Sequence, residues 1–364
     1  MASIERRRSV GGTVCVTGGL GFVGSRLCSA LLDLGRPVRC VDSLVGRYAS
    51  GAGPAAASAL AARGAEVVRA HVGASADDPV LDGADAVIHL AALPGVRTPR
   101  AFAELWRENT RATERLVRAA AERGARFVLA STSSVYGDAH RLPTPEDAAP
   151  SPLGPYALSK LVAERACLAA ACERGADAVV VRLFTVYGPD QRPDMAFARW
   201  IRALAGGEPV PWHARSGAVR DFTYVDDAVA GLLAALDRGR SGQAYNVSGG
   251  VPAPVRAALA LIERAMGLTA TLERSPPALG EARITAGCAR KAAAELGYAP
   301  RTTLAAGIAR QVAAAAAATP VRRPAGRARA PAARSRFGSE SRVAARGSEW
   351  LPPAFPPDAA LDPG

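Results

Sequence analysis

The sequence predicts an α/β fold in which helices cover both faces of a doubly wound parallel sheet, followed by a smaller mixed α/β region. Three observations support this prediction. Short apolar segments alternate with helical segments through the first half of the 364 residues. A glycine-rich turn follows the first apolar segment, and Asp42 ends the second. After Gly188 the alternation weakens, and helical segments are separated by Pro- and Gly-rich loops.

The predicted strands are of a length typical of buried parallel strands. They cover residues 13–17, 37–42, 66–71, 86–90, 126–131 and 178–184. In the later region, helices are expected over residues 195–205 and 255–266, and an Ala-rich helix should end before Pro320. Ligands of open parallel sheets bind beyond the carboxyl ends of the strands, so the glycine turn, Asp42 and Thr132 should face one crevice.

The turn after the first strand has the spacing of a dinucleotide-binding loop. Gly18, Gly21 and Gly24 would let the backbone approach a pyrophosphate, and Phe22 and Val23 would begin a helix whose free N–H groups attract it. Asp42 can accept hydrogen bonds from both hydroxyls of the adenosine ribose and would repel a 2′-phosphate. The pattern therefore predicts NAD, rather than NADP, as the cofactor.

A second group of residues predicts proton transfer. Tyr156 and Lys160 are four residues apart and share one face of a predicted helix. An ammonium beside a phenol lowers the pKa of the phenol, which makes a tyrosine a suitable general base. Thr132, at the end of the fifth predicted strand, would relay the proton or hold a developing carbonyl.

Composition limits the function classes. The net charge is +12, but half of this excess lies in the two ends of the chain, including eight arginines against four acidic residues in 320–364. Nothing resembles a DNA- or RNA-recognition element, and the remaining charge suits a diphosphate-bearing substrate. We expect no membrane span, no signal peptide and a cytoplasmic protein.

The cysteines show no metal-ligand spacing, and no metal is expected. We interpret all six as reduced core residues: Cys15, Cys28, Cys40, Cys167, Cys172 and Cys288.

Further motifs identify a family resemblance. They are His89-Leu90-Ala91-Ala92, Glu108-Asn109-Thr110, Arg182-Leu183-Phe184-Thr185-Val186-Tyr187-Gly188-Pro189, Arg220-Asp221-Phe222-Thr223-Tyr224-Val225-Asp226-Asp227 and Tyr245-Asn246-Val247. From residue 13 to 312 the chain resembles the extended short-chain dehydrogenase/reductase family, in its NAD-dependent nucleotide-sugar epimerase/dehydratase branch, and UDP-glucuronate 4-epimerases most closely.

The resemblance implies an organisation and further site residues. We expect a disordered head (1–10), a Rossmann-type NAD-binding domain (11–187), a mainly substrate-binding domain with some elements returning to the first sheet (188–315) and a disordered Arg/Pro/Ala-rich tail (316–364). Ala91, Asn109, Tyr156 and Lys160 would contact NAD, with Asn109 holding a water chain near Lys160. Arg97 and Arg220 would contact the diphosphate of a UDP-sugar. A homodimer would form through two neighbouring helices, over residues 98–123 and 156–174.

The resemblance also implies a reaction. Dehydratases of the family carry an Asp-Glu pair after the strand-end threonine, and decarboxylases a glutamate, where this chain has Ser133 and Ser134. Epimerisation at C4 through a keto intermediate is the simplest outcome left. Thr185 replaces an asparagine of the galactose epimerases, and together with Ser133, Ser134 and Arg192 it would suit a carboxylate. We therefore expect UDP-glucuronate to be converted to UDP-galacturonate.

Several alternatives stay open. The chain could epimerise UDP-glucose or UDP-N-acetylglucosamine, act as another nucleotide-sugar dehydratase or reductase, or bind NAD as a regulator. Three positions depart from the family: His71 replaces an aspartate that meets adenine, Asp190 stands where arginine is frequent, and Gly287 where aspartate is usual. These departures leave base recognition open, and we interpret His71 as a loop histidine.

Overall fold

The computed structural model describes residues 12–44, 52–73, 79–94, 101–213, 217–276 and 280–318. The predicted head, most of the predicted tail and Arg97 lie outside these residues. Among the helices of the described part, none has the length and apolar character needed to cross a bilayer.

The main element is a seven-stranded parallel sheet. Its strands are β1 (Thr13–Thr17), β2 (Val38–Asp42), β3 (Glu66–Arg69), β4 (Ala84–His89), β5 (Arg126–Thr132), β6 (Ala178–Leu183) and, much later in the chain, a strand over Ala244–Val247. The later strand forms the edge next to β6, and the order from there is β6, β5, β4, β1, β2, β3. The order reverses between β1 and β4, which is where such sheets bind ligands. The predicted fold class is confirmed.

Alternate strand residues face two different cores. Val14 and Val16 pack in one apolar cluster, whereas Cys15 packs in another on the opposite face. Burial on both faces explains why the strands are nearly continuous apolar segments. The helices that follow β1, β2, β4 and β5 are, in order, α1 (Phe22–Asp33), α2 (Ala52–Ala62), α3 (Phe102–Leu105) with a π-helical segment (Trp106–Arg111) and α4 (Ala112–Glu122), and α5 (Pro155–Arg174).

The later part of the chain forms short strands and further helices. The strands are β7 (Val186–Tyr187), β8 (Val210–Trp212), β9 (Val219–Asp221), β10 (Thr223–Tyr224), β11 (Ala244–Val247, the edge strand above), β12 (Pro252–Pro254) and β13 (Leu272–Arg274). The helices are α6 (Ala196–Gly206), α7 (Val225–Arg238), α8 (Val255–Met266), α9 (Arg290–Leu296) and α10 (Leu304–Ala318). A third apolar cluster joins this part, and Phe22 from the start of α1 belongs to it.

Two sequence expectations need correction. The third strand ends at Arg69, two residues earlier than predicted, because Gly73 takes a left-handed φ of 72° and turns the chain onto α4. Cys172 is exposed, unlike the other five cysteines, which are buried and free as predicted. Cys172 lies in the last turn of α5, away from the buried face that Cys167 occupies.

Candidate functional site

The glycine turn between β1 and α1 is packed too closely for side chains. Gly18 has a φ of 67°, and a Cβ there would lie 2.8 Å from the Ala91 nitrogen. A Cβ at Gly24 would lie 2.2 Å from the Gly18 oxygen. The Gly21 N–H donates to that same oxygen, which closes the turn. This closeness explains the glycine spacing and leaves backbone at the surface of the crevice.

The start of α1 offers unpaired N–H groups to the crevice. Gly21 is the N-cap, so no side chain caps the helix, and no acidic residue lies in its first turn. The side chain of Phe22 is buried in the third apolar cluster and Val23 packs beside it. These two residues can therefore contact a pyrophosphate through their backbone N–H groups rather than their side chains.

Asp42 ends β2 at the edge of the crevice. Its Oδ2 accepts a hydrogen bond from the Leu20 N–H at 3.2 Å, and its Oδ1 accepts one from Leu44 at 2.9 Å. Each carboxylate oxygen retains a lone pair for a hydroxyl group. The position and the remaining acceptors match the predicted contact with a ribose diol.

A buried chain of hydrogen bonds orders the end of β4. Thr113 donates to the Asn109 carbonyl, so it accepts from His89 Nε2 at 3.2 Å, and Thr17 then donates to His89 Nδ1 at 2.6 Å. The Thr17 oxygen also accepts from Ala91 N–H at 3.4 Å. The pKa of His89 is lowered to about 3, mainly by burial and to a smaller extent by the positive charge of Lys160. His89 is thus a neutral structural residue that fixes Ala91 over Gly18.

Asn109 lies in the π-helical segment and is buried. Its Oδ1 accepts from the Leu93 N–H at 2.7 Å, and its Nδ2 donates to the Leu93 carbonyl and to Ser159 Oγ. Ser159 in turn donates to the Tyr156 carbonyl. Asn109 therefore joins the loop after β4 to the helix that carries Tyr156. Both amide hydrogens are used, so the predicted water chain could reach Asn109 only through Oδ1, and it stays a prediction.

Three hydroxyl groups, those of Thr132, Ser133 and Ser134, lie at the carboxyl end of β5. Thr132 is the last residue of the strand and caps a short 3₁₀ helix, Ser133–Tyr136, by accepting from the Ser134 N–H at 3.2 Å. The Thr132 hydroxyl donates to Ser134 Oγ at 3.1 Å. Ser133 is buried. The predicted position of Thr132 at the carboxyl edge of the sheet is therefore the observed one.

The environment of Tyr156 differs from the expectation. Burial raises the pKa of its phenol, and the charge of Arg192 and hydrogen bonding by Thr132 act in the opposite direction. The cation that lowers the phenol pKa is thus Arg192, not Lys160, and its effect is smaller than that of burial. The structure nevertheless brings Thr132, Tyr156 and Arg192 together at one place.

Lys160 is buried one turn after Tyr156. Burial lowers its pKa to about 8, while Glu164 and Cys167 act to raise it. Glu164 accepts a hydrogen bond from Ser131 on β5 and pairs with Arg182 on β6, with Arg182 Nη2 at 2.8 Å from Glu164 Oε2. Lys160 is therefore within electrostatic reach of a buried, paired carboxylate.

Arg192 lies in a short segment after β7 and makes a two-pronged ion pair. Its Nε is 3.1 Å from Asp194 Oδ1, and its Nη2 is 3.3 Å from Asp194 Oδ2. These two bonds use one edge of the planar guanidinium, and the N–H groups of Nη1 can donate to another acceptor. Thr185, half-buried between β6 and β7, accepts a backbone hydrogen bond from Thr223.

Arg220 turns toward protein carbonyls. Its Nη1 donates to Val219 and Arg283 carbonyls at 2.9 and 3.1 Å, and Nη2 is 4.0 Å from Glu281. The departure at Gly287 has a steric reason, because a Cβ there would lie 2.8 Å from the Phe184 ring. The Gly287 N–H donates instead to the buried Asp221.

Sequence reasoning missed the buried partners of the site. Arg182 Nη1 donates to the Tyr136 hydroxyl at 2.7 Å, and that hydroxyl donates to Asn246 Oδ1 at 2.8 Å. Arg182 and Asn246 belong to the motifs that carry the family resemblance, and Tyr136 comes soon after Ser133 and Ser134, but no role for them followed from these patterns alone. Glu164 could have been found from its spacing of four residues from Lys160, which places both on one helix face.

The crevice fits NAD by its own geometry. It offers a turn whose glycines leave backbone at the surface, a helix start without carboxylates, and an aspartate with free lone pairs at the next strand end. Gly18, Gly21, Gly24 and the backbone of Phe22 and Val23 would hold the pyrophosphate, and Asp42 a ribose.

Comparison with known proteins agrees with this geometry. Residues 14–248 match the NAD dependent epimerase/dehydratase family. An uncharacterized UDP-glucose epimerase, YtcB, from Bacillus subtilis (strain 168) is 35% identical over 313 residues, covering 82% of this chain and 96% of that protein.

Two solved structures are similar along most of the chain. UDP-glucuronic acid 4-epimerase from Bacillus cereus, in complex with UDP-glucuronic acid and NAD, has a TM-score of 0.79 and 32% identity, covering 84% of this chain and 100% of that one. MoeE5, in complex with UDP-glucuronic acid and NAD, has a TM-score of 0.76 and 36% identity, covering 85% and 100%. The predicted family and NAD as cofactor are confirmed, and the chain belongs to the NAD dependent epimerase/dehydratase family of the extended short-chain dehydrogenases/reductases.

Proposed function

We propose that the protein is a UDP-glucuronate 4-epimerase. One observation supports the choice of substrate: the Tyr156 phenol interacts both with the positive charge of Arg192 and with the Thr132 hydroxyl. A substrate whose hydroxyl meets Tyr156 would therefore meet a cation nearby. UDP-glucuronate carries a planar carboxylate next to its reacting carbon, and such a group matches an arginine side chain.

The site residues have distinct roles in this reaction. Tyr156 takes the proton of the C4 hydroxyl, and the Thr132 hydroxyl holds the same oxygen as it becomes a carbonyl. NAD held by the glycine turn and Asp42 would supply the hydride acceptor, and in its reduced form the hydride donor, that oxidation and reduction at C4 require. Ser133 and Ser134 offer neither a general acid nor a general base for elimination of water, so the keto-sugar is reduced again. Ser133, Ser134, Thr185 and Arg192 would hold the carboxylate, and Arg97 and Arg220 the diphosphate.

A neutral sugar is the second candidate. Asp194 pairs with Arg192 through both oxygens and reduces the charge available to a carboxylate. The similarity to YtcB points the same way. UDP-glucose 4-epimerisation would use the same Tyr156 and Thr132 chemistry without a carboxylate contact.

Direct assay separates these two candidates. The purified protein is incubated with UDP-glucuronate and, separately, with UDP-glucose, and the anomeric proton signals are followed by NMR. We expect UDP-galacturonate to form. Conversion of UDP-glucose alone would contradict the proposed substrate.

Arg192→Gln tests the carboxylate contact. Because hydrogen bonds to charged groups contribute about 1.5–3 kcal/mol, kcat/KM for UDP-glucuronate should fall about 10- to 100-fold. Any activity with UDP-glucose should fall less, because that sugar loses only the effect of the Arg192 charge on the Tyr156 phenol. Arg256→Gln on α8, whose partner is Glu263, is the matched control. An equal loss for both sugars would assign Arg192 to a shared part of the substrate.

Tyr156→Phe tests the base. Turnover should fall by about 10²- to 10⁴-fold, since a positioned proton acceptor contributes that much, while NAD affinity measured by calorimetry stays within about twofold. An unaffected turnover would mean that another residue is the base.

We also propose that the protein forms a homodimer. Phe102 and Trp106 lie beside α5, which carries Leu158, and all three apolar side chains are exposed. We call these three residues the apolar helix face. A second copy of the same face would cover it, as is usual for twofold dimers.

A further inference from the structure

Residues 70–73, directly after β3, are held in place beside Asp42. The Ala70 N–H donates to the Asp42 carbonyl at 3.1 Å, and Val72 is buried in the second apolar cluster. Gly73 lies against Ala112, where a Cβ would come within 2.6 Å, and its carbonyl accepts from Arg115 at 2.9 Å. Among residues 70–73, the side chain of His71 is the exposed one, with 55% of its surface accessible.

A carboxylate determines which nitrogen of His71 carries the proton. His71 Nε2 is 2.8 Å from Glu108 Oε2, and Glu108 Oε1 accepts from Arg107 Nε at 2.8 Å. An ionised carboxylate only accepts hydrogen bonds, so Nε2 carries the hydrogen. In the neutral ring Nδ1 is then a lone-pair acceptor, and within the described residues no hydrogen bond reaches it.

The position of His71 in the sheet determines what this acceptor meets. The pyrophosphate lies over the turn after β1 and the adenosine ribose over Asp42 on β2. Arg69 pairs with Asp42 in the ladder between β2 and β3, so His71 lies just beyond the next strand end. A base attached to a ribose at Asp42 could reach this neighbouring strand end, and adenine carries a 6-amino donor on its edge.

We propose that His71, oriented by Glu108, accepts a hydrogen bond from the adenine 6-amino group through Nδ1. The pair thereby selects a 6-amino purine over a 6-oxo purine in the dinucleotide. This inference concerns the cofactor alone and does not depend on which sugar is the substrate.

Binding of a cofactor analogue tests the proposal directly. Nicotinamide hypoxanthine dinucleotide differs from NAD in having a 6-oxo acceptor in place of the amino donor. Dissociation constants of both for the dinucleotide-free protein are measured by calorimetry at about pH 8.5, above the range in which histidine usually titrates. We expect the wild type to bind NAD about tenfold more tightly, the effect of one hydrogen bond gained or left unmade.

Three variants separate the histidine contact from general effects. His71→Ala should lose most of the tenfold preference, whereas His71→Asp, which restores an acceptor, should keep it. Glu108→Gln should weaken the preference, because an amide can also donate to Nε2 and allow the tautomer with a hydrogen on Nδ1. Glu114→Gln, on α4 and paired with Arg111, is the matched control and should bind like the wild type.

Two results would overturn the proposal. An unchanged preference in His71→Ala would show that the base is selected elsewhere. A wild type that prefers the hypoxanthine analogue would show that Nδ1 is a donor. Both results are independent of epimerase activity, so a failure here leaves the proposed reaction standing, and a failure of the reaction leaves this test valid.

Discussion

At the scale of single residues, Lys160 shows a conflict between stability and function. Its ammonium is buried, and burial lowers its pKa to about 8 against the opposing influence of Glu164. Keeping this buried lysine charged at neutral pH therefore lowers the free energy of unfolding of the protein. Such a cost is expected where a side chain serves a ligand rather than the fold.

Lys160→Met should accordingly stabilise the protein while abolishing turnover. At pH 7 the gain in unfolding free energy should be about 3 kcal/mol, because the pKa of Lys160 is lowered from 10.5 to about 8. Between pH 8 and about 10.5 the unfolded wild type binds more protons than the folded one, so wild-type stability rises and the gain shrinks. Urea unfolding at pH 7 and at about pH 9.5 measures both effects.

Lys291→Met is the control for this prediction, since Lys291 is the other lysine of the chain. Burial lowers the pKa of Lys291 as well, but its ammonium donates to Gln243 and to the Ala244 carbonyl, so its loss should destabilise. A Lys160→Met protein less stable than the wild type at pH 7 would show that the lysine stabilises the fold.

Residue chemistry was predictable only in part. The spacing of Tyr156 and Lys160 and the strand-end position of Thr132 could be read from local periodicity. The influence of Arg192 on the phenol could not, because the two residues are 36 positions apart and meet only through the tertiary fold. Nor could sequence show that burial outweighs the Arg192 charge and the Thr132 hydrogen bond, since burial depends on the whole packing around the phenol.

At the scale of elements, a buried polar network joins the strands and helix of the site. Glu164 on α5 accepts from Ser131 on β5 and from Arg182 on β6, and Arg182 donates to Tyr136 after β5. Each of these groups is satisfied by another, so the charges are paired. The network fixes the helix bearing Tyr156 and Lys160 against the sheet edge.

Glu164→Gln should cost about 3 kcal/mol of unfolding free energy, because it leaves the buried Arg182 without its counter-charge. Asp147→Asn, which breaks the exposed pair with Arg141, should change stability by less than about 1 kcal/mol. The double change Glu164→Gln with Arg182→Met should be less destabilising than the sum of the single ones, as measured by denaturant unfolding. Additive effects would show that the two residues do not act as a pair.

Element prediction from sequence was accurate for strands and less so for one helix. The predicted strand bounds differ from the observed ones by at most two residues, because apolar segments and turns mark both ends. The region 98–123, expected to be helical, is interrupted by the π-helical segment Trp106–Arg111. That segment carries Asn109, and the extra residue in its turn leaves no trace in the apolar periodicity.

At the scale of the whole molecule, the chain crosses between its two regions more than once. β11 returns to the edge of the main sheet, and Phe22 from α1 packs in the third apolar cluster with Tyr187 and Phe222. The residues that would hold NAD and those that would hold the sugar are thus joined through a common core. The domain boundary near residue 188 stays a prediction, since contacts of this kind cross it.

The apolar helix face gives the last prediction at this scale. Phe102, Trp106 and Leu158 are 43%, 37% and 40% exposed in the single chain, and the two helices that bear them are tied by a hydrogen bond from Thr110 to the Ser159 carbonyl. Pairing two such faces would bury three large apolar side chains from each copy and align the Tyr156 helices. Light scattering after size exclusion should therefore give about twice the mass of one chain.

Trp106→Glu and Leu158→Glu should each shift the mass toward one chain, because a buried unpaired charge opposes association. Val251→Glu, at an exposed apolar residue (66%) outside this face, should leave the dimer intact. A wild type that elutes as a single chain, or a Val251→Glu protein as dissociated as the other two, would exclude this face as the interface.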